Sequence, residues 1–150
     1  MRILLQRVLS ASVEIDQKIV GAIKSGLLIY VGIEASDTQE DADWLAQKIY
    51  SLRIFSDQDG KMNVSIADTK GEFLVVSQFT LFAATKKGNR PSFIRSAQPT
   101  ISLPLYNYFV EKLGLISGLK VATGEFGADM KIQSINDGPV TLFIDSKNKE

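Results

Sequence analysis

The sequence predicts a mixed α/β fold, in which a largely antiparallel β-sheet curls towards a barrel and two main helices pack on it. Three observations lead to this prediction. Runs rich in β-branched residues recur along the chain and outnumber the helical patterns. The early runs are separated by breaks of hairpin length. Only two segments, residues 36–53 and 101–115, have the apolar spacing of an amphipathic helix.

The N-terminal part of the chain predicts a hairpin followed by a buried strand. Residues 3–15 and 19–23 are rich in β-branched residues and are separated by the polar break Asp16-Gln17-Lys18. After a turn at Ser25-Gly26, residues 27–33 are apolar almost throughout. A short run that is apolar at both parities indicates a strand with both faces buried.

Residues 36–53 predict the first helix. Ser36 is predicted as the N-cap, with Gln39 three residues later as in a capping box. The apolar stripe has the i, i+3, i+4, i+7 spacing and consists of Ala42, Leu45, Ala46, Ile49 and Leu52. Trp44 flanks this stripe, which favours a packing role over a binding role.

Residues 72–82 predict the central strand and contain the most unusual feature of the sequence. An apolar run, residues 73–76, continues directly into Ser77-Gln78-Phe79-Thr80. Polar side chains in a buried strand require hydrogen-bond partners. The segment is therefore either a satisfied polar patch within a sheet or the end of a strand where a site opens, and we favour the second interpretation.

A polar loop, residues 83–92, follows the central strand. It contains the cations Lys86, Lys87 and Arg90. The loop is either a solvated surface segment or, because it follows the unusual strand, a contact for a phosphate group.

The C-terminal half predicts one helix and three strands. Residues 101–115 form the helix, and strands are predicted at 120–126, 130–135 and 140–145. Asn136-Asp137-Gly138-Pro139 is a strong turn signal between the last two strands. Composition alone favours a trans peptide bond before Pro139, because few X-Pro bonds in folded proteins are cis.

The composition restricts the chemistry. The 150 residues include no cysteine and no histidine. This excludes thiol nucleophiles, a Ser-His-Asp triad, a histidine base and the usual zinc sites. There is no Gly-rich phosphate loop, and no helix has paired carboxylates suited to a metal. We therefore expect no metal and no cofactor.

Length and charge limit the fold and the location. A chain of 150 residues predicts a single domain, 1–150. The 17 Lys and Arg residues balance the 17 Asp and Glu residues, which argues against broad coating of nucleic acid but leaves room for a local basic patch. The N-terminus does not resemble a signal peptide, and no run approaches the ~18 apolar residues of a membrane span. We expect a cytoplasmic protein without a membrane partner.

Hydroxyl, amide and main-chain groups remain as candidates for catalysis. Ser77 and Thr80 provide hydroxyls, but a Thr80 nucleophile would need a base other than histidine. The Gln78 amide and the N–H groups at the strand end can donate to a carbonyl oxygen. Such a site would act by positioning and by stabilising an oxyanion.

Two segments resemble the D-aminoacyl-tRNA deacylase family, also described as D-tyrosyl-tRNA(Tyr) deacylases. Ser77-Gln78-Phe79-Thr80-Leu81 and Asn136-Asp137-Gly138-Pro139-Val140-Thr141 are similar to the motif pair of that family. Other similar segments occur in the family's order, at residues 6–8, 11–13, 53–57, 60–63, 90–93 and 123–130. Each segment is weak alone, but their joint occurrence is specific.

The resemblance implies a homodimeric enzyme that hydrolyses the ester between a D-amino acid and the terminal adenosine of tRNA. It also implies activity on glycine mischarged on tRNA. The catalytic pocket would be lined by Ser77, Gln78, Phe79 and Thr80. A cis bond would join Gly138 and Pro139, which would reach into the pocket of the partner subunit and exclude L-amino acids.

The same resemblance assigns further residues. Asn136, Phe126 and Met130 would help to bind the substrate and reject L-amino acids. Main-chain groups and the ribose 2′-hydroxyl of the substrate would carry much of the chemistry, although an older interpretation of the family makes the threonine a nucleophile. Our candidates for the phosphates of the tRNA acceptor end are Lys86, Lys87 and Arg90.

Two other hypotheses remain open. One is a non-catalytic module that binds an RNA end or a nucleotide on the polar strand end. The other is a general small-ester hydrolase in which Thr80 is the nucleophile.

Overall fold

The computed structural model of the chain describes residues 1–149, which contain eight strands, three α-helices and a 3₁₀ helix. In chain order these are β1 (Arg2–Ile15), β2 (Lys18–Ile23), β3 (Gly26–Gly32), α1 (Gln39–Ser51), β4 (Phe55–Ser56), β5 (Met62–Val64), α2 (Ile66–Thr69), β6 (Glu72–Ser77), the 3₁₀ helix (Phe79–Phe82), α3 (Pro99–Ser117), β7 (Val121–Thr123) and β8 (Lys131–Asp145).

Six of the strands form one mixed sheet that curls into a nearly closed barrel. The order is β2-β1-β3-β6-β7, and β8 also pairs with β1. The pairs of β1 with β2, β3 and β8 are antiparallel, whereas β6 is parallel to both β3 and β7. The two ends of the sheet approach closely, because a Cβ atom on Gly21 of β2 would lie 2.4 Å from the Thr123 carbonyl oxygen of β7. The predicted fold class is confirmed.

The central strands β3 and β6 are buried on both faces of the sheet. On β3, Leu27, Ile29 and Val31 pack with α1 and α3 in one hydrophobic core. Leu28 lies in a second core inside the barrel, together with side chains such as Val76 of β6. Alternate residues of a strand point to opposite faces, so a strand between two apolar layers must be apolar at both parities.

The N-cap of helix α1 lies two residues later than predicted. Ser36 is not the N-cap, because residues 34–37 form a turn in which the Asp37 carboxylate accepts from the Glu34 N–H (2.8 Å). Thr38 is the N-cap, and the Asp41 carboxylate accepts from the Thr38 N–H (2.8 Å). The sequence therefore predicted correctly that a capping box begins the helix, but it placed the N-cap two residues too early in the chain.

Helix α3 is longer than the pattern predicted. It begins at Pro99 and continues through Gly114 to Ser117. Gly118 ends the helix in the left-handed conformation, with φ = +64°, which glycine adopts at low cost. The short helix α2 had not been predicted.

The predicted strand at 72–82 ends at Ser77. The Gln78 N–H still donates to the Val31 carbonyl of β3 (2.7 Å), and the chain then turns into the 3₁₀ helix. The polar residues therefore mark a strand end, as the favoured interpretation predicted.

The predicted turn at residues 136–139 is wrong, because this segment lies inside the continuous strand β8. Gln6 pairs with Thr141 and Val8 pairs with Asn136, so four residues of β8 lie opposite Arg7 alone. This wide bulge accommodates Pro139, which has no N–H for a regular ladder. The Gly138–Pro139 peptide bond is cis.

A buried polar network joins the first and last strands to α1. The Met1 ammonium group is buried, pairs with Asp37 and donates to the Ser146 hydroxyl (2.8 Å). The neighbouring Lys147 ammonium donates to Asp41 (2.8 Å). Burial raises the pKa of Asp41, but the hydrogen bonds from Lys147, the Thr38 backbone and Ser146 together lower it well below its usual range.

We expect Asp41→Ala to lower the free energy of unfolding at pH 7 by on the order of 1 kcal/mol, because it removes the capping box and the partner of Lys147. The folded pKa lies below the unfolded value of about 3.9. The stabilisation is therefore present above about pH 4 and is lost as the pH falls through the folded pKa.

Urea denaturation of both proteins between about pH 7 and pH 2 tests this, and the difference between them should narrow at the acid end. Asp59→Ala, in an exposed turn, is the matched control and should change stability little. A difference between wild type and Asp41→Ala that stays constant with pH would contradict the assignment.

Candidate active site

A cavity of 290 Å³ opens where β6 ends. Ser77, Gln78 and Phe79 line its mouth from the strand end. Helix α3 and the segment after β7 form the opposite walls. The remaining lining residues are Val31, Ile33, Val76, Ala97, Ser102, Tyr106, Phe126, Gly127, Ala128, Met130 and Ile132.

The strand end is fixed by close backbone packing. Gly32, at the end of the neighbouring strand β3, leaves little room, since a Cβ there would lie 3.1 Å from the Gln78 carbonyl oxygen. The Gln78 amide nitrogen donates a short hydrogen bond to the Thr80 hydroxyl oxygen. Thr80 itself does not line the cavity. Its hydroxyl is thus engaged with Gln78, which does line the cavity.

Helix α3 contributes two buried polar residues that sequence reasoning missed. The Tyr106 hydroxyl donates to the Val75 carbonyl (2.9 Å), and the Ser102 hydroxyl donates to the Gln98 carbonyl (3.1 Å). Burial raises the pKa of Tyr106 further above neutral pH. The feature of the sequence that could have identified this wall of the site is Ser102, a polar residue on the otherwise apolar face of the predicted helix.

The segment after β7 provides the other wall. The Phe126 ring lies against the Tyr106 ring, with centroids 5.7 Å apart. Met130 lines the same wall and packs closely on Gly124, where a Cβ would meet its sulfur at 2.4 Å. The structure thus brings together five of the predicted site residues: Ser77, Gln78, Phe79, Phe126 and Met130.

The cavity has no charged side chain among the described residues that line it. A group that acts there as a general acid or base near pH 7 would have to come from main-chain groups, water or a substrate. Within residues 1–149, no group of three or more acidic, histidine or cysteine side chains is arranged to hold a metal ion.

The other predicted motif lies elsewhere on the same chain. Gly138 and Pro139 are exposed on the β8 bulge, and neither they nor Asn136 line the cavity. The Asn136 amide donates to the carbonyls of Arg7 (3.0 Å) and Val140 (3.1 Å), which holds the bulge on β1.

The buried side chain of Arg7 stabilises the bulge. Its guanidinium pairs with the Asp137 carboxylate (2.9 Å) and donates to the Ile54 carbonyl (2.6 Å). A Cβ on Gly138, which has φ = +127°, would lie 3.1 Å from Arg7 Nη2 and 2.8 Å from Val140 Cγ2. Only glycine fits this position without displacement of its neighbours.

The predicted phosphate contacts lie outside the cavity. Lys86, Lys87 and Arg90 are exposed on the loop that the Ala84–Ser92 bridge closes, just beyond the 3₁₀ helix. None of the three lines the cavity.

No helix among residues 1–149 is long and apolar enough to cross a membrane.

Known proteins match the chain over almost its whole length. The family described as D-Tyr-tRNA(Tyr) deacylase matches residues 4–145. A D-aminoacyl-tRNA deacylase of Flavobacterium psychrophilum is 61% identical, and one of Phocaeicola vulgatus is 57% identical, each over 150 residues that cover all of both chains.

Solved structures show the same fold. A structure described as a c-Myc DNA unwinding element binding protein is 37% identical with a TM-score of 0.91, and the match covers 97% of this chain and 98% of that one. A structure described as a probable eukaryotic D-amino acid tRNA deacylase has a TM-score of 0.85 at 17% identity, over 95% and 97% of the two chains, which shows likeness of fold alone.

The family match over residues 4–145 and the full-length relatives at more than half identity agree with the motifs at the strand end and on the bulge. The chain therefore belongs to the D-Tyr-tRNA(Tyr) deacylase family of hydrolases.

Proposed function

We propose that this enzyme removes D-amino acids, and glycine mischarged on tRNA, from the 3′-terminal adenosine, and that it spares L-aminoacyl-tRNA. The observation that carries the proposal is the uncharged cavity at the end of β6, which the strand-end residues Ser77, Gln78 and Phe79 line together with mostly apolar side chains. Family membership supports the general reaction. The cytoplasm, where aminoacyl-tRNA is used, is the proposed location.

The proposed reaction is attack of water on the ester carbonyl carbon. The main-chain N–H group of Phe79, a residue that lines the cavity, has no partner within the 3₁₀ helix and would donate to the oxyanion that forms. The bond between the carbonyl carbon and the ribose oxygen then breaks. The ribose oxygen takes up one proton of the water, by way of the ribose 2′-hydroxyl, and the amino acid leaves as a carboxylate with release of the other proton.

The contacts of Thr80 favour this route over a threonine nucleophile. Its oxygen accepts a hydrogen bond from Gln78, and the residue does not line the cavity. A nucleophilic hydroxyl needs a base within hydrogen-bond reach. The surrounding described residues of the cavity offer no charged group for that role.

The β8 bulge is proposed as the filter against L-amino acids, supplied by a second subunit. Gly138 and Pro139 are exposed and lie away from the cavity of their own chain. Beside the bulge, Leu9 is 54% exposed and Ile135 is 58% exposed. An apolar patch of this kind, next to a strand that pairs only with β1, fits a contact with a second copy. We also assign Lys86, Lys87 and Arg90 to the phosphates of the acceptor end.

The basic test is turnover on tRNA charged with D-tyrosine, L-tyrosine or glycine. We expect release of D-tyrosine and glycine, with at least a hundredfold preference for D- over L-tyrosine, because a backbone wall rejects the wrong enantiomer by a clash. A failure to release D-tyrosine even at stoichiometric protein would instead support a non-catalytic module that binds RNA ends.

Thr80→Val tests the nucleophile. If water is the nucleophile, we expect kcat to fall by no more than about tenfold, since only the contact with Gln78 is lost. Thr85→Val, in the exposed loop, is the matched control. Loss of more than about a thousandfold in a folded Thr80 variant, with an acyl-enzyme trapped by hydroxylamine in the wild type, would establish the threonine mechanism.

Gly138→Ala tests the filter. We expect the ratio of D- to L-tyrosine release to fall at least tenfold, because the new Cβ atom displaces Val140 and the Arg7 guanidinium, and the bulge moves with them. Gly60→Ala is the control, since Gly60 also has positive φ (+78°) but meets nothing within 4 Å. Equal D-to-L ratios in the two variants, with both folded by circular dichroism, would refute the filter.

A further inference from the structure

A second concave surface lies between α1 and the end of β8. We call it the Trp44 groove. Its volume is 460 Å³, and its charged and aromatic lining residues are Arg2, Trp44, Lys48, Phe143, Asp145 and Lys149. None of them lines the cavity at the end of β6.

The groove is cationic, although the chain as a whole has no net charge. Asp145 is engaged with Arg2, whose Nε lies 2.8 Å from the carboxylate. Neither Lys48 nor Lys149 forms an ion pair with a carboxylate of residues 1–149, whereas Lys112, Lys120, Lys131 and Lys147 all do. Two positive charges are therefore available to an anionic partner.

Aromatic faces accompany these charges. The Lys149 ammonium lies 4.5 Å from the centroid of the Trp44 ring, and the Lys48 ammonium lies 5.5 Å from it. Phe143, which lines the same groove, is 55% exposed. Cations beside aromatic faces are the combination that binds single-stranded nucleic acid, because phosphates meet the cations and unpaired bases stack on the rings.

The 3₁₀ helix links the groove to the proposed active site. Arg2 lies at its edge and donates to the Leu81 carbonyl of the 3₁₀ helix (3.0 Å). The same helix begins at Phe79, which lines the cavity. One turn of helix thus separates the place where an ester would be held from the cationic groove.

We infer that the Trp44 groove binds the acceptor end of the tRNA substrate, with Lys48 and Lys149 on phosphates and Trp44 against an unpaired base. This inference rests on the proposed function for its choice of RNA. It assigns to the groove a part of the substrate that lies beyond the terminal adenosine, in addition to the phosphates assigned above to Lys86, Lys87 and Arg90.

The test is binding of uncharged tRNA to the full chain over a range of salt concentrations. For Lys48→Gln/Lys149→Gln we expect about fivefold to tenfold weaker binding near 0.1 M salt. The slope of log Kd against log salt should decrease by about 1.4 to 1.8, which corresponds to two lost phosphate contacts. Lys18→Gln/Lys61→Gln removes two exposed charges elsewhere and should leave both quantities unchanged.

Two further variants separate stacking from charge. Trp44→Leu keeps an apolar side chain on the core but removes the ring, and we expect binding about tenfold weaker with an unchanged salt slope. Trp44→Phe keeps a ring face and should bind nearer to the wild type. Urea denaturation verifies that each variant is folded.

Hydrolysis of the D-tyrosyl ester of adenosine separates the inference from the proposed function. This small ester reaches only the cavity, so the groove variants should cleave it at the wild-type rate. If they cleave it normally and also bind tRNA like the wild type, the groove assignment is refuted while the proposed function stands. A change in sedimentation behaviour in the groove variants would refute it as well, by assigning the groove to contact between protein chains.

Discussion

Burial of β3 and β6 on both faces decides where polar chemistry can occur in this fold. Their alternate side chains enter two apolar layers, one under the helices and one inside the barrel. A hydroxyl or amide at a fully buried position of either strand would be desolvated without a partner. Polar groups therefore begin where β6 ends, at Ser77, and the cavity opens at the same point. Helix α3 and residues 126–130 are the walls that complete it.

Charge is kept out of the cavity and is held around it by specific partners. Buried Arg7 is paired with Asp137, Arg2 with Asp145, and Arg95 with Glu34. Arg7 is the most buried of the three, and a buried cation is tolerated only when it is paired and hydrogen-bonded. Arg2 and Arg95 contact segments next to the cavity, whereas Arg7 holds the β8 bulge. Arginine side chains that lie outside the cavity thus help to fix the segments around it.

Local signals predicted most of the fold, and long-range pairing explains what they missed. The apolar runs and the Ser77-Gln78 break identified β3, β6 and the strand end. The turn chemistry of residues 136–139 was misread, because pairing of β8 with β1 overrides it and turns the segment into a bulge around Arg7. Ser102 and Tyr106 were missed because helical periodicity does not distinguish a residue that faces a core from one that faces a cavity.

The strands β2 and β7, at the two ends of the sheet, approach each other closely without backbone pairing between their described residues. We call this boundary the seam, and it affects the range of side chains that the cavity can accept. Strand β7 pairs with β6 through three residues, and no backbone pairing joins it to β2 within residues 1–149. The wall that contains Phe126 and Met130 follows this weakly held strand. Outward movement of this wall would break few backbone hydrogen bonds at its β7 end, whereas its other end is held by the pairing of Lys131 with Glu14 and the β6 end is fixed in the sheet. The range of bulky amino acids that the cavity accepts would then depend on how far β7 moves away from β2, rather than on the cavity volume in the structure described above.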